Sequence, residues 1–183
     1  RDRTFHERDL RTLRRFGELG IPRVIATGRS YMSACRVLPA DFPVDYLIFS
    51  SGAGIFRWKD RELLRSINFK QEETMRLFDL FQQSSFDYMV HRPVPENHCF
   101  LWFDHMGGSD DFFARIEIYR DYAERGNGNI DTWDGACQFL AVVPRERKEL
   151  IDDFVPRLEA CTVIPTTSPL DGTSVWLEVF PGA

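Results

Sequence analysis

The sequence predicts an α/β protein: a partial, Rossmannoid parallel-sheet core followed by an α+β open-faced sandwich. Three observations carry that reading. The apolar run Val24-Ile25-Ala26 stops abruptly in Thr27-Gly28-Arg29-Ser30 and lies between helical patterns, as a buried parallel strand does. A second run, Tyr46 to Ser50, follows one intervening helix, so residues 21–51 form a strand–helix–strand unit, parallel and right-handed. From about residue 67 to 181, several strand patterns alternate with three helical ones, with no internal repeat.

The opening helix has Leu10, Leu13, Phe16 and Leu19 on its apolar side, Thr4 and Glu7 spaced as a capping box, and Gly20 as its stop. Pro22 sets the approach to the strand at Val24. A helix from Ser30 to about Val37 comes next, and Pro39 and Pro43 break the chain before Tyr46. Two parallel strands do not make a sheet covered on both faces, so further core strands are expected that this sequence does not supply. Ile55 to Ile67 reads as a hairpin with a solvated tip at Lys59-Asp60-Arg61-Glu62. A helix begins near Gln71 with Met75, Phe78 and Phe81 on one side, an aromatic stripe that reads as core. Strands follow at Tyr88 to His91 and Cys99 to Phe103. Ser109 opens a helix with Phe112, Ile116 and Tyr119 inward, ended by Gly126-Asn127-Gly128-Asn129. Gln138 to Val143 is a strand, and Pro144 starts a helix faced by Leu150, Ile151, Phe154 and Leu158, which Pro156 kinks or ends. Thr162 to Pro165 and Val175 to Phe180 are the last strands.

The chain has 183 residues, 43% of them apolar, enough for one large or two small domains. Its net charge of −5, with no Lys/Arg cluster, argues against nucleic-acid binding. No run is long enough to cross a bilayer. Cys35, Cys99, Cys137 and Cys161 lie far apart and read as reduced, mostly buried thiols of a cytoplasmic protein. The four histidines show no metal-ligand spacing, and no metal ligand is assigned. Oligomeric state is not fixed by the sequence.

The first strand's carboxyl end is where open α/β sheets place their ligands. Thr27 offers a hydroxyl, Gly28 lets the backbone come close, Arg29 offers a cation, and Ser30 can cap the next helix. These residues read as a phosphate or carboxylate cradle, or as an ordinary strand-to-helix turn.

The segment Gly20-Ile21-Pro22-Arg23-Val24-Ile25-Ala26-Thr27-Gly28-Arg29 resembles the second motif of the haloacid-dehalogenase-like (HAD) hydrolases, in the Cof-like sugar-phosphate phosphatase branch with a type-2 cap. Tyr46-Leu47-Ile48-Phe49-Ser50-Ser51-Gly52-Ala53-Gly54-Ile55 resembles that family's next strand, with Ser51 where the family usually has Asn. Val175 to Ala183 resembles the return from cap to core. The resemblance implies a partial core over 1–66, a type-2 cap over 67–181 and the start of the return at 182–183. It implies that Thr27, with Gly28 and Arg29, binds the substrate phosphoryl group, and that Ser51 and Gly52 contact substrate. It implies phosphatase activity through an aspartyl phosphate in a complete protein that uses magnesium. The family's Asp-x-Asp nucleophile and general acid, its Lys and its paired magnesium-binding acids cannot be placed in this sequence. This chain alone is therefore expected to be inactive. A non-catalytic HAD-like binding or interaction domain is the alternative.

Other features tempt. Asp171-Gly172-Thr173 resembles the tail of the family's nucleophile motif, but Pro169 stands where the first Asp belongs, and Pro-x-Asp-Gly is turn chemistry. Asp110-Asp111 and Asp152-Asp153 read as solvated helix surface. His91-Arg92, ending a cap strand, is a lesser candidate for facing a sugar phosphate.

Overall fold

The structure is a computed structural model that describes residues 4–182. They divide into two compact units between Ile67 and Asn68.

The first unit opens on α1 (Glu7–Glu18), capped by His6, whose Nδ1 accepts from the Arg8 N–H at 3.1 Å. The expected Thr4/Glu7 capping box does not form, because Glu7 is the first helical residue and not the third. Glu7 pairs with Arg14 instead. Gly20 ends the helix at φ 71°. The sheet is β1 (Val24–Ala26), β2 (Tyr46–Phe49), β3 (Gly54–Arg57) and β4 (Glu62–Ser66), in that spatial order. β1 and β2 are parallel, pairing Val24 with Tyr46 and Ala26 with Ile48. The remaining pairs are antiparallel, with the hairpin where the sequence puts it. α2 (Tyr31–Cys35) connects β1 to β2 and is shorter than expected.

β1 differs from its expectation in burial. Among the described residues it stands at the sheet edge with one neighbour, and Val24 is 50% exposed. The interior strand is β2, whose Leu47 and Phe49 are fully buried against Phe56. Arg23 and Asp45 join the amino ends of β1 and β2. The Arg23 backbone N–H and Nε donate to Asp45 Oδ2 at 2.8 and 2.9 Å, and Nη2 donates to Oδ1 at 2.7 Å.

The second unit contains β5 (Phe69–Lys70), α3 (Gln71–Gln82), β6 (Asp87–His91), β7 (Phe100–Phe103), α4 (Asp110–Ile118), β8 (Ala123–Arg125), β9 (Gly135–Ala136), β10 (Gln138–Val143), α5 (Glu149–Phe154), β11 (Cys161–Thr167) and β12 (Val175–Pro181). Six strands form one sheet in the order β11-β12-β10-β6-β7-β8, antiparallel except for β7 with β8. β5 and β9 form a separate two-stranded ladder. β5, β8 and β9 have only two or three residues each and carry no periodic pattern of their own. The α-helix ends at Phe154, two residues before Pro156, and continues as a single 3-10 turn, Val155–Arg157.

One face of the sheet is packed by α3 and α5. Leu77, Phe78, Phe81, Ile151 and Phe154 meet Tyr88, Val90, Phe139, Ala141, Leu177 and Val179. On the other face α4 packs Phe112 over Met89, Phe100, Leu140, Val142 and Trp176. β11 stays open on this side, with Ile164 39% exposed.

Two expectations are corrected here. Asp111 is not solvated. It is buried, and it accepts from Ser168 Oγ at 2.7 Å and Trp176 Nε1 at 2.6 Å. The free cysteines are not mostly buried, since only Cys137 is. Ala183, the second residue of the expected return to the core, lies outside the described residues. Among the described residues no helix is long and apolar enough to cross a membrane.

Candidate active site

Two loops leave the carboxyl ends of the parallel pair side by side. β1 runs into Thr27-Gly28-Arg29-Ser30, and β2 into a tight turn at Ser50–Gly52. The β1–β2 ladder continues one residue past the strand, from the Thr27 N–H to the Ile48 carbonyl at 3.0 Å. The loops are then tied to each other: Ser51 N–H donates to the Thr27 carbonyl at 3.2 Å, and Ser50 N–H to the Arg29 carbonyl at 2.8 Å. Thr27, Gly28, Arg29, Ser51 and Gly52 are thereby brought together.

Thr27 is half-buried and Arg29 is exposed. The Thr27 Oγ1 accepts from the Arg29 N–H at 3.2 Å. That bond occupies an acceptor lone pair, so the hydroxyl proton is left to be donated elsewhere. A Cβ built on Gly28 would come to 3.5 Å from Ser51 Oγ. This is ordinary contact, so the close packing of the two loops does not itself demand glycine at 28.

Among the described residues Arg29 pairs with no acid. Its Nη1 donates to Ser33 Oγ at 3.2 Å, one helical turn on. Ser30 caps α2 as expected, accepting from the Ser33 N–H at 3.3 Å. The five-residue α2 is too short to sum a useful dipole, so the anion affinity of this corner rests on Thr27, Arg29 and the loop. Ser33 was not singled out from the sequence. Its position, three residues after a cap and four after the cation, is the signal that could have found it.

Ser50, Ser51 and Gly52 all have positive φ, at 50°, 53° and 99°. Two consecutive non-glycine residues in the left-handed region are costly and persist only where surrounding bonds impose them. Asn tolerates this region far better than most residues. An Asn at position 51 would therefore suit the backbone whatever its side chain contacted.

The other candidates lie elsewhere. Asp171 is the cap of a turn between β11 and β12. It accepts from the Thr173 and Ser174 N–H groups and from Ser174 Oγ, which together hold its carboxyl at about 2. His91 is buried, and Arg92 sits 5.0 Å over the Trp133 ring. Among the described residues no three His, Cys, Asp or Glu side chains gather as a metal site requires. A magnesium ion has no ligand set among them.

Residues 1–106 match the model of the haloacid dehalogenase-like hydrolases. No curated protein matches the chain. Solved structures do. A Thermotoga maritima protein is 16% identical with a TM-score of 0.74, over 98% of this chain and 63% of its own. A phosphatase of the haloalkanoate (HAD) enzyme superfamily from Bacteroides thetaiotaomicron is 16% identical with a TM-score of 0.69, over 97% and 60%. A sugar phosphatase of HAD subclass IIB is 15% identical with a TM-score of 0.61, over 94% and 61%. The chain thus spans less than two thirds of the length of each. At these identities the likeness is one of fold.

Proposed function

This chain belongs to the haloacid dehalogenase-like hydrolases, and from that premise we propose that it is the phosphoryl-gripping part of a phosphatase acting on a small phosphate ester, a sugar phosphate by preference. The observation that supports this reading is the Thr27 hydroxyl, half-buried at the strand end, its acceptor side already engaged by the Arg29 N–H. The O–H donates to a non-bridging phosphoryl oxygen. Arg29, steadied on Ser33, offsets part of the phosphoryl charge. Ser51 and Gly52 border the same corner and limit how the ester can enter. Residues 68–182 serve as the cap that selects the leaving group.

In the complete protein, hydrolysis follows the family's course: an Asp carboxylate attacks phosphorus, the alcohol leaves with a proton, and water then cleaves the aspartyl phosphate. Magnesium, with ligands outside the described residues, supplies charge neutralisation when bound. This reading assigns the nucleophile to no residue of the sequence, and on it the 183-residue chain binds phosphate without turning over its esters.

The test has two parts. Inorganic phosphate titrated into the chain perturbs the Thr27 and Arg29 amide resonances, and Thr27→Val weakens that binding by about tenfold, the worth of one charge-assisted hydrogen bond. In a protein carrying the whole core, Thr27→Val lowers kcat for a sugar phosphate by about 100-fold, as loss of one donor to a developing charge does elsewhere. Unperturbed resonances at Thr27 would remove the reading. Phosphate binding without turnover, even with the whole core present, would favour a binding module over an enzyme.

A further inference from the structure

The first unit carries a cavity of about 300 Å³ at the amino end of β1, the end opposite Thr27. That volume is at the lower end of small-ligand sites. The last turn of α1 and the loop after it, the amino ends of β1 and β2, and the turn of the β3–β4 hairpin surround it. None of its residues belongs to the Thr27 corner.

The floor of the cavity is fixed by the protein itself. Gly17 lies in the last turn of α1, where glycine is an unfavourable choice. A Cβ there would collide with the Arg23 guanidinium, so glycine is what lets that group lie against the helix. From this position Arg23 Nη1 donates to the Leu13 carbonyl at 3.3 Å, while Nε and Nη2 hold the Asp45 carboxylate. The two charges cancel where they meet.

The rim is less complete. Arg57 on β3 stands opposite Tyr46 on β2 and pairs with both Asp60 and Glu62. Lys59, in the hairpin turn, also lines the cavity; it is exposed and pairs with no acid among the described residues. Among those residues the Tyr46 hydroxyl makes no hydrogen bond, and its ring meets no other ring. Ile21, 45% exposed, and Pro22 supply an apolar wall.

Charge decides the class of ligand. Arg23, Arg57 and Lys59 face Asp45, Asp60 and Glu62, so the cavity and its rim have no surplus to hold a dianion such as phosphate. What is unmet is local: one ammonium, one phenol O–H and an uncovered apolar wall. A carboxylate meets the first two, one oxygen taking the Lys59 ammonium and the other accepting from the Tyr46 hydroxyl. A flat apolar body behind it covers Ile21 and Pro22 and lies against the Tyr46 ring. We infer that this cavity binds a small aromatic monocarboxylate, its charge on Lys59 and Tyr46 and its ring on Ile21 and Pro22. The site does not depend on the phosphatase reading.

Benzoate titrated into the 183-residue chain tests this, with backbone amide resonances as the readout. Saturable shifts at Gly20, Arg23 and Tyr46 are expected. Acetate carries the charge without the ring, and benzyl alcohol the ring without the charge; each should bind more weakly than benzoate. Lys59→Gln should weaken benzoate binding about fivefold, the upper range for an exposed ion pair, and Lys59→Glu about tenfold or more. Benzyl alcohol should bind both variants as it binds the wild type. Lys59 is exposed in a turn, so neither change threatens the fold. Saturating phosphate should leave the benzoate affinity as it was. Absence of saturable shifts at Gly20 and Arg23, equal affinity for benzoate and benzyl alcohol, wild-type affinity in both variants, or displacement by phosphate overturns the inference. If benzoate binds as expected and phosphate leaves Thr27 unperturbed, the phosphatase reading falls and this site stands.

Discussion

α1 and α3 are the same length, twelve residues, and both are amphipathic. α3 buries Thr74, Leu77, Phe78 and Phe81, whereas α1 buries nothing. The strands repeat the contrast. All six residues of β10 are buried, while β1 leaves Val24 and Ala26 exposed. Amphipathic pattern therefore identifies a face that can be covered without saying whether this chain covers it. The second unit closes its own core. The first carries Phe16, Leu19, Ile21 and Val24 at 41 to 56% exposure, enough apolar surface to favour association.

The largest test of that contrast compares two phenylalanines. Phe81 stacks on Phe139 at 5.2 Å and meets Tyr88 and Phe154 at 5.0 and 4.9 Å. Phe81→Ala should cost the second unit about 3–5 kcal/mol, read as a shift in the denaturant midpoint of Trp133 fluorescence. Phe16→Ala should cost about 0.5 kcal/mol or less. Comparable losses would mean that α1 is buried in solution and that the contrast is wrong.

A smaller test sharpens the same point with adjacent acids. Asp110 is exposed in the first turn of α4, where only the dipole favours it. Asp111 holds Trp176 and Ser168. Asp111→Ala strands a buried indole N–H and should cost about 1–3 kcal/mol. Asp110→Ala should cost about 0.3–1 kcal/mol. Equal costs would remove the claim that Asp111 braces α4 against the sheet.

That pair also shows where the sequence was legible. Elements with a repeating apolar pattern, such as α3, β6, β10 and the β3–β4 hairpin, are found where the pattern puts them. The loop Thr27–Ser30 at a strand end, capped by Ser30, was readable because strand, glycine and cap fall in sequence. Its joining to Ser50–Gly52 depends on the parallel register, which pattern does not reveal. Asp111 was misread because its partners are 57 and 65 residues away. β1 is exposed because β2 is its one neighbour among the described residues, and an apolar run reports what a strand can bury, not what lies beside it.

The gentlest test uses acid, which acts at the start of β1 and spares the apolar stretch of β10. From Phe139 to Val143 that strand packs among apolar side chains, and Gln138 at its start is bonded to the Glu178 carboxylate. β1 is held at its amino end by Arg23 and Asp45. The guanidinium's hydrogen bonds keep the Asp45 carboxyl below its usual range. Folding therefore favours the ionised carboxylate. The stabilisation is complete above the unfolded value of about 3.9 and is lost as pH falls through the lower folded value. The Asp45 side chain is 36% exposed, so solvent screening limits the pair to about 0.5–1 kcal/mol. Exchange protection of the Thr27 amide, bonded to the Ile48 carbonyl, should drop as pH falls below about 4, while that of the β10 amides holds. Asp45→Asn should give the low-pH protection at every pH. A Thr27 amide whose protection ignores both acid and the substitution would show that the edge strand is anchored along its ladder and not at its start.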